Sequence, residues 1–186
     1  MGTSNLAPLF RASARKHADE TAMRYEVDGE WRSVTYRELD EKVRAVGNAL
    51  VELGIQPGDK VGIFSPNRPE WTIADFATLS VGAVSVAIYA THTAADAEYL
   101  ARDADLRLVF VGGQEQYDKV RSFIARLDQL ETIVVFEEDA AVEGADTVLL
   151  GDFMERGRAA EAQTELDARL EGIDDDDVAT LIYTSG

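Results

Sequence analysis

The sequence has no cysteine. That excludes disulfides, thiolate catalysis and cysteine metal sites. Histidine is nearly as scarce, with only His17 and His92. Neither stands in a triad-like setting, and His17, on the polar flank of a predicted helix, reads as a solvated surface residue. Long apolar runs are missing too. The longest stretch free of Asp, Glu, Lys and Arg runs from Phe76 to Ala95, close to the roughly 20 residues that a membrane helix needs. It contains Gly82, several hydroxyl residues and His92, and it passes from helical to strand-like character midway. We read it as helix, turn and strand rather than as a transmembrane segment. The first residues do not form a charged-then-apolar leader, so no secretory signal is expected and the expected location is cytoplasmic.

Positive charge is in deficit. There are 18 basic against 35 acidic side chains, a formal net charge of −17. A nucleic-acid surface needs a basic footprint, so nucleic acid is not an expected partner. Only Lys16, Lys42, Lys60 and Lys119 are lysines, against fourteen arginines. Few lysines with abundant Asp and Glu suit a salt-adapted protein, because concentrated salt screens self-repulsion. An ordinary acidic surface accounts for the composition equally well. Asp174 to Asp177 lack the ligand spacing and closing glutamate of a calcium loop, and read as a solvated acidic turn. No metal site is expected.

What is present is an alternation of helices and strands. Leu6, Leu9, Phe10 and Ala14 share one face of a helix ending near Lys16. Ala22 to Val27 and Glu30 to Val34 flank Asp28-Gly29, a two-residue hairpin signal. Trp31 is assigned to core or hairpin packing. Thr35 and Glu38 form a capping box. Beyond it Leu39, Val43, Val46, Leu50 and Leu53 make one apolar stripe that stops at Gly54. Lys60 to Ser65 reads as a buried strand. Asn67 and Glu70 look like a second capping box, with Pro69 in the first turn. Trp71, Ile73, Phe76, Ala77 and Leu79 cover most sides of the helix that follows. Val84 to Tyr89 is a strand, Thr93 caps a helix, and Leu106 to Val111 is another strand. Gly112-Gly113 is a plain turn, since the pattern is not G-x-G-x-x-G. A helix over Gln116 to Leu127, a strand over Thr132 to Phe136, a short strand over Val148 to Leu150 and a helix over Ala159 to Leu170 complete the series. Alternation of this kind predicts an α/β fold: a largely parallel sheet with flanking helices, plus a small N-terminal β-hairpin.

The last residues carry the chemistry. Val178 to Tyr183 is an apolar run, read as a buried strand, and it opens into Thr184-Ser185-Gly186. Two hydroxyls and a glycine suit a loop that curls around an anion. The same tripeptide is also an ordinary polar turn. A serine-hydrolase reading of Ser185 fails because a nucleophile elbow needs glycine where Tyr183 stands.

Tyr183-Thr184-Ser185-Gly186, led by Asp177-x-Ala179-x-Leu181-Ile182, resembles the start of the signature loop of the adenylate-forming enzymes. That family's loop continues Thr-Thr-Gly-x-Pro-Lys-Gly. The likeness spans nearly the whole chain: Thr35 to Leu39 and Gly58 to Val61 resemble stretches of the family at large, while Asn67-Arg68-Pro69-Glu70-Trp71 and Gly82 to Tyr89 resemble its long-chain fatty acid–CoA ligase branch. Ala87, where that branch commonly has proline, and His92, where small polar residues are usual, depart from it. The resemblance implies a ligase that uses ATP, Mg²⁺ and CoA to turn a fatty acid into its acyl-CoA. It implies that Thr184, Ser185 and Gly186 open the loop around the ATP β- and γ-phosphates, with Tyr183 packed beneath. Residues 1–186 are then the N-terminal part of the large, AMP-binding domain, truncated inside that loop and with no separate second domain. Such a chain alone is expected to be inactive; the alternatives are an adenylate-forming ligase for another carboxylic acid, or a non-catalytic truncated module that binds nucleotide. Peripheral membrane contact is left open for the whole protein.

Overall fold

Helix α1 (Leu6–Lys16) leads the computed structural model, which describes residues 5–184. It buries Ala7, Phe10, Arg11 and Ala14, and Phe10 stacks on Phe76 at 4.3 Å. Leu6 and Leu9 are exposed, so the buried stripe is rotated from the expected one. Small alanines at both ends of the stripe let the helix lie close, and Phe10 alone supplies the large contact. Strands β1 (Thr21–Val27) and β2 (Glu30–Thr35) pair antiparallel. Asp28 and Gly29 between them take φ of 55° and 81°, the left-handed pair that a tight hairpin turn requires. Trp31 is 63% exposed. It packs within the hairpin, under the Arg24 guanidinium 5.4 Å from its ring, and not in a core.

Helix α2 (Tyr36–Glu52) starts from the expected box. The Thr35 hydroxyl accepts from the Glu38 amide at 3.2 Å, and the Glu38 carboxylate accepts from the Thr35 amide at 2.8 Å. Leu39, Val43, Val46 and Leu50 are buried.

Six strands then form one parallel sheet: β3 (Lys60–Phe64), β4 (Val84–Ile88), β5 (Leu106–Val111), β6 (Thr132–Val135), β7 (Thr147–Leu149) and β8 (Thr180–Leu181). Their order is β7-β6-β5-β3-β4-β8, and every neighbouring pair is parallel. The connecting helices are α3 (Pro69–Ser80), α4 (Ala94–Asp103), α5 (Gln114–Arg121), α6 (Leu150–Ala159) and α7 (Gln163–Gly172). Helices α1, α2, α3 and α6 share one core with Val61, Ile63, Leu108, Phe110 and Val134. Helices α4 and α5 share another with Phe64, Val86, Val109, Ile133 and Val135. Both faces are covered, which is why the central strands are almost wholly apolar.

Four further expectations need correction. Asn67 does not cap α3: its N-cap is Arg68, with no side-chain cap bond. Helix α5 ends at Arg121, and a 3-10 turn, Ile124–Arg126, replaces the rest of the predicted helix, carrying the buried Phe123 and Ile124 back toward the core. Residues 150–159 form a helix where none was expected, and α7 begins only at Gln163. The run Val178 to Tyr183 is not a buried strand. β8 has two residues and lies at the sheet edge, with Val178 58% and Ile182 70% exposed. With a sheet neighbour on one side only, its apolar side chains are half covered.

Candidate functional site

In a parallel sheet all carboxyl ends share one edge, and ligands bind where successive connections leave in opposite directions. Here β3 leads to β4 on one side, while β5 returns to the other side of β3 and continues to β6. The loop after β3 is Ser65-Pro66-Asn67-Arg68, and Gly112 after β5 presses against it. A Cβ at Gly112 would lie 2.8 Å from Pro66 Cδ and from Ser65 Oγ, so only glycine fits. Arg68 braces the crevice. Its Nε donates to Glu70 at 2.7 Å, its Nη1 donates to the Gly112 carbonyl at 2.7 Å, and its guanidinium lies 5.8 Å from the Phe136 ring. Next to it, the Glu137 carboxylate accepts from the Gln114 amide at the start of α5 (3.1 Å), where the helix dipole favours an anion.

Between the ends of β3 and β4 is a pocket of about 360 Å³, lined by Ser65, Asn67, Trp71, Ala87, Tyr89 and Thr91 among others. Tyr89 is exposed and meets His92 edge-on at 5.6 Å. Asp75 of α3 is half-buried, and burial raises its carboxyl above the usual range, partly offset by a hydrogen bond with Ser85.

Strand β8 lies on the other side of β4 from β3. It pairs Ser85 with Thr180 and Val86 with Leu181; Tyr89 follows the end of β4, and Thr184 comes three residues after the end of β8. The Thr180 hydroxyl donates to the Ser85 carbonyl at 2.9 Å. Tyr183 packs its ring against the α4 core cluster and donates its phenol to Asp103 at 2.8 Å. Burial, then that hydrogen bond, push the phenol up to about 12. Thr184 is exposed at the carboxyl end of the strand. Ser185 and Gly186 lie outside the described residues. Among the described residues no group of three or more His, Cys, Asp or Glu side chains could hold a metal ion.

The profile of one family, AMP-binding enzyme, matches residues 10–186. The chain belongs to the AMP-binding enzyme family. It is 35% identical over 182 residues to the long-chain-fatty-acid–CoA ligase FadD15 of Mycobacterium bovis, covering 98% of this chain and 29% of that protein. It is 32% identical over 167 residues to the fatty acyl-CoA synthetase A of Dictyostelium discoideum, covering 85% and 24%. Among solved structures, the anthranilate CoA ligase AuaEII in complex with anthranoyl-AMP matches with a TM-score of 0.80 and 27% identity, over 98% of this chain and 32% of that one. The chain thus spans under a third of the length of these AMP-binding relatives.

Sequence reasoning missed Asp103 and the Arg68–Gly112 brace. Asp103 had one signal, a carboxylate in the last turn of a helix, where the dipole disfavours it. Gly112 was read as a plain turn because its close neighbour, the β3 loop, is remote in sequence.

Proposed function

We propose that the protein containing these residues is an AMP-forming acid–thiol ligase. It activates a fatty acid with ATP as acyl-AMP and transfers the acyl group to CoA, giving acyl-CoA, AMP and pyrophosphate. The observation that carries the reading is Tyr183-Thr184, which resembles the start of the family loop and follows the carboxyl end of parallel strand β8, with Tyr183 packed and Thr184 exposed. On this reading Thr184, Ser185 and Gly186 open the ATP phosphate loop, and residues 1–186 are the N-terminal part of the adenylation domain. Hydroxyls and backbone amides there can meet charge that builds on the phosphates. Arg68 is already committed to Glu70 and Gly112, so phosphate charge falls to the loop itself. Mg²⁺, which ATP chemistry calls for, belongs to the same reading. No described residue is assigned to CoA.

No helix among the described residues is long and apolar enough to cross a membrane. A cytoplasmic enzyme that meets its lipid substrate at the inner membrane face fits the reading. The test is ATP–pyrophosphate exchange by the whole protein across a series of carboxylic acids. Long-chain fatty acids are expected to drive exchange, and Ser185→Ala to slow it by about tenfold or more. The 186-residue chain by itself is expected to show none. Exchange driven by aromatic acids alone would favour a second reading, a ligase for another acid class, which the likeness to the anthranilate ligase supports. Absence of exchange with every acid would sink both.

A further inference from the structure

Among the described residues, the strand that leads to Thr184 pairs with β4 at two positions. Side chains add two ties. The Thr180 hydroxyl bonds the Ser85 carbonyl, and the Tyr183 phenol bonds Asp103. The second tie is the closer to the loop, because Tyr183 immediately precedes Thr184.

Asp103 stands in an unfavourable place for an anion. It is the last residue of α4, beside the negative end of the helix dipole. Its neighbour Arg102 turns to Glu98 at 2.9 Å. Among the described residues, the hydrogen bond to the Asp103 carboxylate comes from Tyr183. Hydrogen bonds to a charged acceptor are stronger than neutral ones, so a carboxylate here holds the phenol more firmly than a neutral side chain would.

We propose that Asp103 is a positioning residue for ATP: by accepting the Tyr183 hydroxyl, it ties Tyr183, the residue that leads into Thr184, to the C-terminal end of α4. This rests on the ATP reading of the Thr184-Ser185-Gly186 loop. Asp103 acts through Tyr183, so its removal should weaken the handling of ATP and spare that of the fatty acid.

The experiment compares Asp103→Ala, Asp103→Asn, Tyr183→Phe and the double variant Tyr183→Phe/Asp103→Ala in the whole protein. Two quantities are read: amide hydrogen exchange at 181–184 without nucleotide, and the KM for ATP and for fatty acid. Asp103→Ala and Tyr183→Phe should each speed exchange and raise the KM for ATP by roughly three- to tenfold, the size of one lost hydrogen bond. The KM for fatty acid should stay put. Asn keeps an oxygen that accepts the phenol proton, so Asp103→Asn should recover part of the loss. The double variant should match the singles, as two halves of one interaction do. Unchanged exchange in Asp103→Ala, or equal damage to both KM values, overturns the proposal. If Asp103→Ala fails to fold, Asp103→Asn against Tyr183→Phe makes the same comparison. Faster exchange in the variants of a protein whose wild type shows no ATP–pyrophosphate exchange would overturn the ATP reading while leaving the tie itself established.

Discussion

Asp75 is a carboxylate that the fold disfavours in its charged form. Burial on α3 raises its pKa, and the Ser85 hydrogen bond opposes that only in part. The folded state therefore binds this proton more tightly than the unfolded chain. Stability from this group is complete below its ordinary value of 3.8 and is lost as pH rises through the raised folded value. Asp75→Asn should accordingly melt higher than wild type at neutral pH, and the gain should vanish below that ordinary value. Thermal melts across that range check it. A lower melting temperature at neutral pH would mean that the bond to Ser85 outweighs burial.

Helices α2 and α6 cross at a distance that only glycine permits. A Cβ on Gly157 would lie 2.8 Å from the Ala45 carbonyl carbon and 2.9 Å from the Ala49 amide. Asn48 Nδ2 donates to the Gly157 carbonyl at 3.1 Å, a buried polar contact at the same crossing. Gly157→Ala should cost about 1–3 kcal/mol or more, since the atoms in the way are backbone and cannot step aside. Gly172→Ala, with nothing within 4 Å, is the near-neutral control, and urea midpoints of the two variants compare them. The same crossing explains why α6 was invisible in the sequence. Its buried stripe is Leu150, Phe153 and Gly157, and a glycine does not register as an apolar position. Helix α2 was legible because its stripe is built of large side chains behind a capping box. The central strands were legible because burial on both faces writes an unbroken apolar run. β8 carries the same kind of run, but local composition does not say whether a strand has one neighbour or two. At the candidate site Thr184 is proposed from a contiguous motif, which sequence displays directly. Asp103, 80 residues from Tyr183, was not legible, since only the fold brings α4 beside the last strand.

At the scale of the whole molecule, the net charge of −17 predicts a response to salt. Screening should raise the melting temperature between dilute buffer and molar KCl, by roughly 2–4 °C for each kcal/mol of repulsion removed. A flat profile would remove the case for salt adaptation. The strand order has a consequence in time. Chains fold from the N-terminus as the ribosome releases them. β3 to β7 are complete by Leu149, whereas β8 is reached only after α6 and α7. The outer edge of β4 therefore waits uncovered while β5, β6 and β7 build outward on the far side of β3. Ser85 therefore leaves the ribosome 95 residues ahead of Thr180, its partner in β8, and that edge of β4 stays open for as long as the intervening chain takes to emerge.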